Sequence, residues 1–227
     1  NNRSWGEQIA VTPDNSLDFS MVWLDLSTEQ ARAVWDPFLS ALQTDGIATV
    51  DLDFQAHPFR DLWNAEYWER TNPEMITLDS RADQPGGQFW WTSNQAEVSQ
   101  FLNTYLSRFI PLKLFVDTPD NLVATLFDAS RLTKLGLHIN KGLAGVPEEV
   151  VARERNTSFN PACLDAAAQV IFGSAQAATY PGVIGHEPDL EAGRKAAAPP
   201  IKAIGIIRDA TPGAGTYAAE ADYFEPN

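Results

Sequence analysis

One cysteine, Cys163, stands among 227 residues, so no disulfide can close within the chain, and the thiol count leaves the redox compartment open. No apolar run approaches the roughly 20 residues needed to span a bilayer, and Asn1 to Ala10 is too polar for a secretory leader. Histidine is scarce as well. His57, His138 and His186 lie far apart, without the paired spacing of a metal site. Cationic residues are outnumbered, 16 Lys and Arg against 30 Asp and Glu, for a formal charge of -14. Such a field repels a phosphate backbone and an anionic membrane surface alike, so neither nucleic acid nor membrane is an expected partner. No GxGxxG string or other Gly-rich phosphate loop occurs. Asn2-Arg3-Ser4 and Asn156-Thr157-Ser158 match the N-glycosylation pattern, a motif that carries meaning only in a secreted eukaryotic protein.

What is present is apolar and aromatic: 44% hydrophobic residues, with 7 Trp and 12 Phe. That is enough side chain for one substantial core or two small ones, and one globular domain is the simplest expectation. Leu17 to Leu26, preceded by the turn sequence TPDN, reads as a strand entered from a hairpin. Ser27 with Gln30 forms a capping box for a helix whose stripe is Ala31, Val34, Trp35, Phe38 and Leu42. Ile47 to Phe54 alternates as a second strand. Asn94 to Arg108 and Pro119 to Thr133 have the three- and four-residue spacing of core-facing helices, and further helices are expected from Pro147 to Arg155 and from about Pro161. Within AAAPPIKAIGII, Pro199 and Pro200 predict a break or sharp kink, since proline costs roughly 3 kcal/mol inside a helix. The fold class expected is α+β, a mainly antiparallel sheet with flanking helices.

Four places carry chemistry-bearing side chains. Leu135 to Lys141 alternates as a strand with His138 and Asn140 on one face, and an imidazole titrates near neutrality. A lone strand histidine is more often a hydrogen-bonded structural residue. Phe89, Trp90 and Trp91 are consecutive aromatics, so a strand there must turn at least one ring away from the core. The YPGVIGHEP loop puts His186 and Glu187 where they fix a turn. Finally GTYAAEADYFEPN, Gly215 to Asn227, places Tyr217, Ala219, Ala221 and Tyr223 on one face of an extended segment and Ala218, Glu220, Asp222 and Phe224 on the other. A carboxylate beside a phenol is the pair needed to deprotonate an alcohol. Ordinary solvated acids on an edge strand would look the same. Cys163, within NPACLDAAAQVIF, reads as inert packing on the apolar face of a helix.

The terminal string resembles the Y-x-N-E/Y-x-D strand of FAD-linked oxidases related to berberine bridge enzyme, in the vanillyl-alcohol oxidase superfamily. WGEQ (Trp5 to Gln8), FWWTSNQAEVSQFL (Phe89 to Leu102), LHINKGLAGVPEE (Leu137 to Glu149), NPACLDA (Asn160 to Ala166) and YPGVIGHEPDL (Tyr180 to Leu190) are similar to the same family in the same order, so the resemblance covers nearly the whole chain. It implies that residues 1–227 are a substrate-binding domain, a fragment without the N-terminal FAD-binding domain and the C-terminal tail. It implies oxidation of an alcohol or C–H donor by hydride transfer to FAD, with dioxygen as acceptor. Glu220 is then the proton acceptor with Tyr217 beside it, and His138, Asn140, Trp90 and Trp91 line the substrate cavity. FAD would be held mainly by the absent domain, leaving the isolated chain inactive. Ala219 departs from the family's Asn or Ser, which removes a polar contact. The rival expectation is a binding module, without flavin, that holds a carbohydrate or other small ligand against its aromatic residues.

Overall fold

The computed structural model describes residues 4–47, 52–97, 99–139, 143 and 145–218. In chain order its elements are β1 (Ser4–Val11), β2 (Leu17–Trp23), α1 (Thr28–Thr44), α2 (Ala65–Thr71), β3 (Ile76–Leu78), β4 (Phe89–Trp91), β5 (Asn103–Pro111), α3 (Leu112–Asp117), α4 (Pro119–Ser130), β6 (Leu135–Ile139), α5 (Glu148–Arg155), β7 (Ala166–Ala175) and α6 (Leu190–Ala210). Short 3-10 turns punctuate them. The class is α+β. Two compact units divide the chain: one spans Trp23–Gln100, and the other joins Asn2–Val22 to Phe101–Asn227.

The second unit is built on a five-stranded sheet in the order β2-β1-β6-β7-β5. β1 pairs antiparallel with β6, β6 with β7, and β7 with β5. Because opposed residues of an antiparallel pair share a face, Leu106 and Ile110, Ala168, Val170 and Phe172, and Leu135 and Leu137 all point one way. There they meet Leu122 and Ala129 of α4 and Ala203, Ile204 and Ile207 of α6. Each fully buried large aliphatic or aromatic of this set contributes about 1.5–3 kcal/mol of transfer free energy. The β1–β2 turn is fastened to the end of α4 by Arg131, whose guanidinium donates to the carbonyls of Thr12 (2.8 Å) and Pro13 (2.9 Å).

Four expectations are corrected here. Asn94 to Arg108 is not one helix: only a 3-10 segment, Thr92–Glu97, is helical, Ser99 adopts φ 62, a left-handed turn that stops any helix, and β5 follows, paired with β7 from Asn103 to Pro111. The helix expected near Pro161 is a single 3-10 turn, Pro161–Leu164, capped by Asn160, after which the Ala-rich run extends as β7. A central strand flanked on both edges overrides the helical propensity of alanine. Conversely, α6 runs unbroken through Pro199 and Pro200. Pro200, Ala203, Ile204 and Ile207 are all buried along its inner side, and that packing offsets the lost backbone bonds. Gly193 permits the approach of its first turns, since a Cβ there would sit 3.1 Å from Leu102 Cδ1. In α1 the capping box is present on Ser27 and Gln30, but the buried positions are Ala31 and Leu39, while Val34 and Phe38 are exposed.

Within the first unit, β3 and β4 form a two-stranded antiparallel ribbon pairing Ile76 with Trp91 and Leu78 with Phe89. Trp91 packs edge-on against Trp68 (5.1 Å between ring centroids) and Phe89 (5.4 Å), and Trp68, only 3% exposed, donates its indole N–H to the Leu62 carbonyl. His57 is held there by Tyr67 Oη (2.8 Å) and Gln55 Oε1 (3.0 Å). Of the strand expected over Ile47 to Phe54, residues 48–51 lie outside the described residues, and Leu52 to Phe54 is irregular.

Candidate functional site

The sheet face opposite α4 and α6 carries a transverse row. Gln8 pairs with His138, His138 with Gln169, and Gln169 with Phe109, so the four side chains cross β1, β6, β7 and β5 at one level. His138, Gln169 and Phe109 form the base of a cavity of about 940 Å³. Val151 and Glu154 of α5, with Thr157 and Phe159 beyond it, form a second side. Cys163 and Leu164 of the 3-10 turn, together with Tyr217, complete the wall. The volume lies at the upper end of the range for small-molecule sites, and the lining is predominantly apolar with few polar groups, the composition of such sites in general.

His138 is half-buried, and loss of hydration holds its imidazole below the usual histidine value. It is therefore neutral at neutral pH and able to accept a proton. Gln169 Nε2 is buried with no hydrogen-bond partner among the described residues. A buried amide donor left unmatched is costly, and an oxygen acceptor on a bound molecule would satisfy it. Burial, and then the neighbouring Asp165 carboxylate, raises the Cys163 thiol, which makes it a poor nucleophile. Asp165 is in turn held below the usual carboxylate range by the Arg155 guanidinium, which grips both its oxygens and ties the end of α5 to the start of β7.

Tyr217 reaches the wall from a segment that is irregular rather than a strand. Its N–H donates to Ser107 Oγ (3.0 Å), and it packs against the buried cluster of Phe109, Cys163 and Ala166. Of the residues singled out from sequence, His138 and Tyr217 therefore line one cavity. Asn140 and Glu220 lie outside the described residues. Trp90 and Trp91 belong to the first unit, whereas every lining residue of the cavity belongs to the second. Trp91 is packed and Trp90 is 40% exposed, each on its own face of β4. Gln169 and Phe109 were not anticipated. A lone amide in the alternating run AAAQVIF would have marked Gln169 had that run been read as a strand. His186, by contrast, closes its own loop: its carbonyl accepts from Tyr180 N–H (2.7 Å) while Glu187 accepts from Gly182 N–H (2.9 Å).

Among the described residues no cluster of three or more His, Cys, Asp or Glu is placed to hold a metal, and no helix is long and apolar enough to cross a membrane. No family model, curated protein or solved structure matches the chain.

Proposed function

We propose that this chain is the substrate-binding part of an FAD-dependent oxidoreductase that oxidises an alcohol or C–H donor. The observation that carries the reading is the polar pair His138 and Gln169 set side by side on the sheet face opposite α4 and α6, at the base of an otherwise apolar cavity. A buried amide donor among apolar walls fits a ring system bearing a hydrogen-bond acceptor, a feature common to an aromatic alcohol and a flavin ring. Gln169 would orient that acceptor, Phe109 and Phe159 would exclude water, and neutral His138 would accept or relay the hydroxyl proton. From the resemblance, Glu220 is the base proper, with Tyr217 as its phenol neighbour, and its carboxyl needs burial under a bound ring to work near neutral pH. FAD, when bound, supplies the hydride acceptor, with dioxygen as the final oxidant. The chain lacks a Gly-rich loop for the pyrophosphate, so residues outside this sequence would hold that end.

The test is anaerobic mixing of the native flavoprotein with aromatic and sugar alcohols. Bleaching of the flavin that is lost in Glu220→Gln and slowed in Tyr217→Phe supports the assignment. Bleaching that is unaffected by either overturns their roles. A second reading, a module that binds carbohydrate or another small ligand without flavin, draws on the first unit. There Trp63, 74% exposed, stands edge-on to Trp91 at 6.2 Å, an exposed ring of the kind that stacks on ligands.

A further inference from the structure

Ser107 occupies the cavity-side face of β5, fully buried and opposite Ile171 of β7. A buried hydroxyl in a strand must find partners, and all of those found here belong to one segment distant in sequence. Ser107 Oγ lies 2.9 Å from Thr216 Oγ1, Thr216 Oγ1 donates to the Ser107 carbonyl (2.6 Å), and Tyr217 N–H donates to Ser107 Oγ (3.0 Å). Each hydroxyl has one proton. With the Thr216 proton on the Ser107 carbonyl, Ser107 must donate to Thr216 Oγ1 while accepting from Tyr217, and the cycle closes. Thr216 is 7% exposed, so water does not compete for it freely. Phe109 N–H adds a bond to the Gly215 carbonyl (2.9 Å), and Arg108 grips Thr211 at its hydroxyl (3.1 Å) and carbonyl (2.8 Å). Between these pins the segment passes tightly by Asn160, because a Cβ on Gly215 would lie 2.3 Å from Asn160 Nδ2.

We infer that Ser107 is a positioning residue of the cavity: it docks the Thr211–Tyr217 strap along the edge of β5 and thereby holds the Tyr217 side chain in the wall beside Cys163. The assignment rests on the proposed oxidoreductase reading only in giving Tyr217 a ligand to touch. The clamp itself is tested on the 227-residue chain without any ligand.

Cys163 is the chain's single cysteine and belongs, with Phe109 and Ala166, to the buried cluster against which Tyr217 packs, so its alkylation by N-ethylmaleimide, followed by intact mass, reports whether the strap is docked. Ser107→Ala and Thr216→Val each break the hydroxyl cycle, and the alkylation rate should rise on the order of tenfold through local opening. Thr216→Ser keeps the hydroxyl and should label like the wild type. Ser130→Ala removes a buried hydroxyl from the helical side of the same unit, one that donates to the Phe127 carbonyl (2.7 Å) and accepts from the Arg131 guanidinium (2.9 and 3.3 Å), and should leave the rate unchanged. If Ser107→Ala does not fold, the Thr216 pair decides. Labelling that is unmoved in the folded Thr216→Val variant, or raised equally by Thr216→Ser or Ser130→Ala, overturns the inference. A native protein without flavin would sink the oxidoreductase reading and leave these rates as they are.

Discussion

Replacing Gln169 by leucine should make the protein more stable and its site worse. The amide nitrogen is buried and has no hydrogen-bond partner among the described residues, and a buried donor left unsatisfied costs about 1–3 kcal/mol. Leucine is similar in size, joins the apolar, half-buried Ala167 and Ile171 on the same face of β7, and removes that cost. The net gain expected is about 1 kcal/mol, which for a chain of this size raises the melting temperature by roughly 2–4 °C. Urea unfolding followed by far-ultraviolet circular dichroism measures it. Under the proposed flavin-linked activity the same substitution should lower kcat/KM by at least about tenfold, since it removes the donor proposed to match the substrate acceptor. A natural residue that costs stability and serves binding is the usual form of a stability–function trade-off. If Gln169→Leu instead destabilises by 1 kcal/mol or more, the amide is already matched within the protein, and the cavity is not a polar site awaiting a ligand.

Phe172→Ala, at the centre of β7 and fully buried, should cost about 3–5 kcal/mol in urea unfolding; a loss below about 1 kcal/mol would contradict the placement of the core. His138 carries a sign that can be checked. Its folded value is depressed by burial, while an unfolded histidine titrates at about pH 6.5. On acidification the unfolded chain therefore takes up a proton that the native state still refuses. Stability is full above about pH 6.5 and falls as the pH drops toward the folded value, then levels. His138→Asn should remove that part of the pH slope, seen as the difference between the two melting-temperature profiles. A wild type that gains stability relative to the variant on acidification would reverse the assignment.

Where local chemistry sufficed, the fold was legible. Ser27 and Gln30 cap α1 as their spacing predicts, Pro119 opens α4, and the alternation of Leu135 to Ile139 is realised as β6. The errors came where long-range pairing decides. The residues of β5 happen to repeat at helical intervals, and those of β7 are rich in alanine, so both look helical until nine positions of mutual pairing are known. α6 fails in the opposite sense, because two prolines argue against a helix whose packing against the sheet is invisible in a one-dimensional pattern. The site inherits this division. His138 was visible because β6 was. Gln169 and Phe109 were hidden because their strands were misread as helices, and the clamp on Tyr217 joins residues more than a hundred positions apart.

The visible absorption spectrum of the native protein from its source, taken with its intact mass, tests the proposed flavin-linked function most directly. Flavin bands, together with a mass well above the 25.0 kDa of this chain, are the predicted result, with bleaching by a substrate alcohol to follow. A colourless protein of 25.0 kDa that does not bind added FAD would contradict the account and leave the ligand-binding module as the reading to pursue.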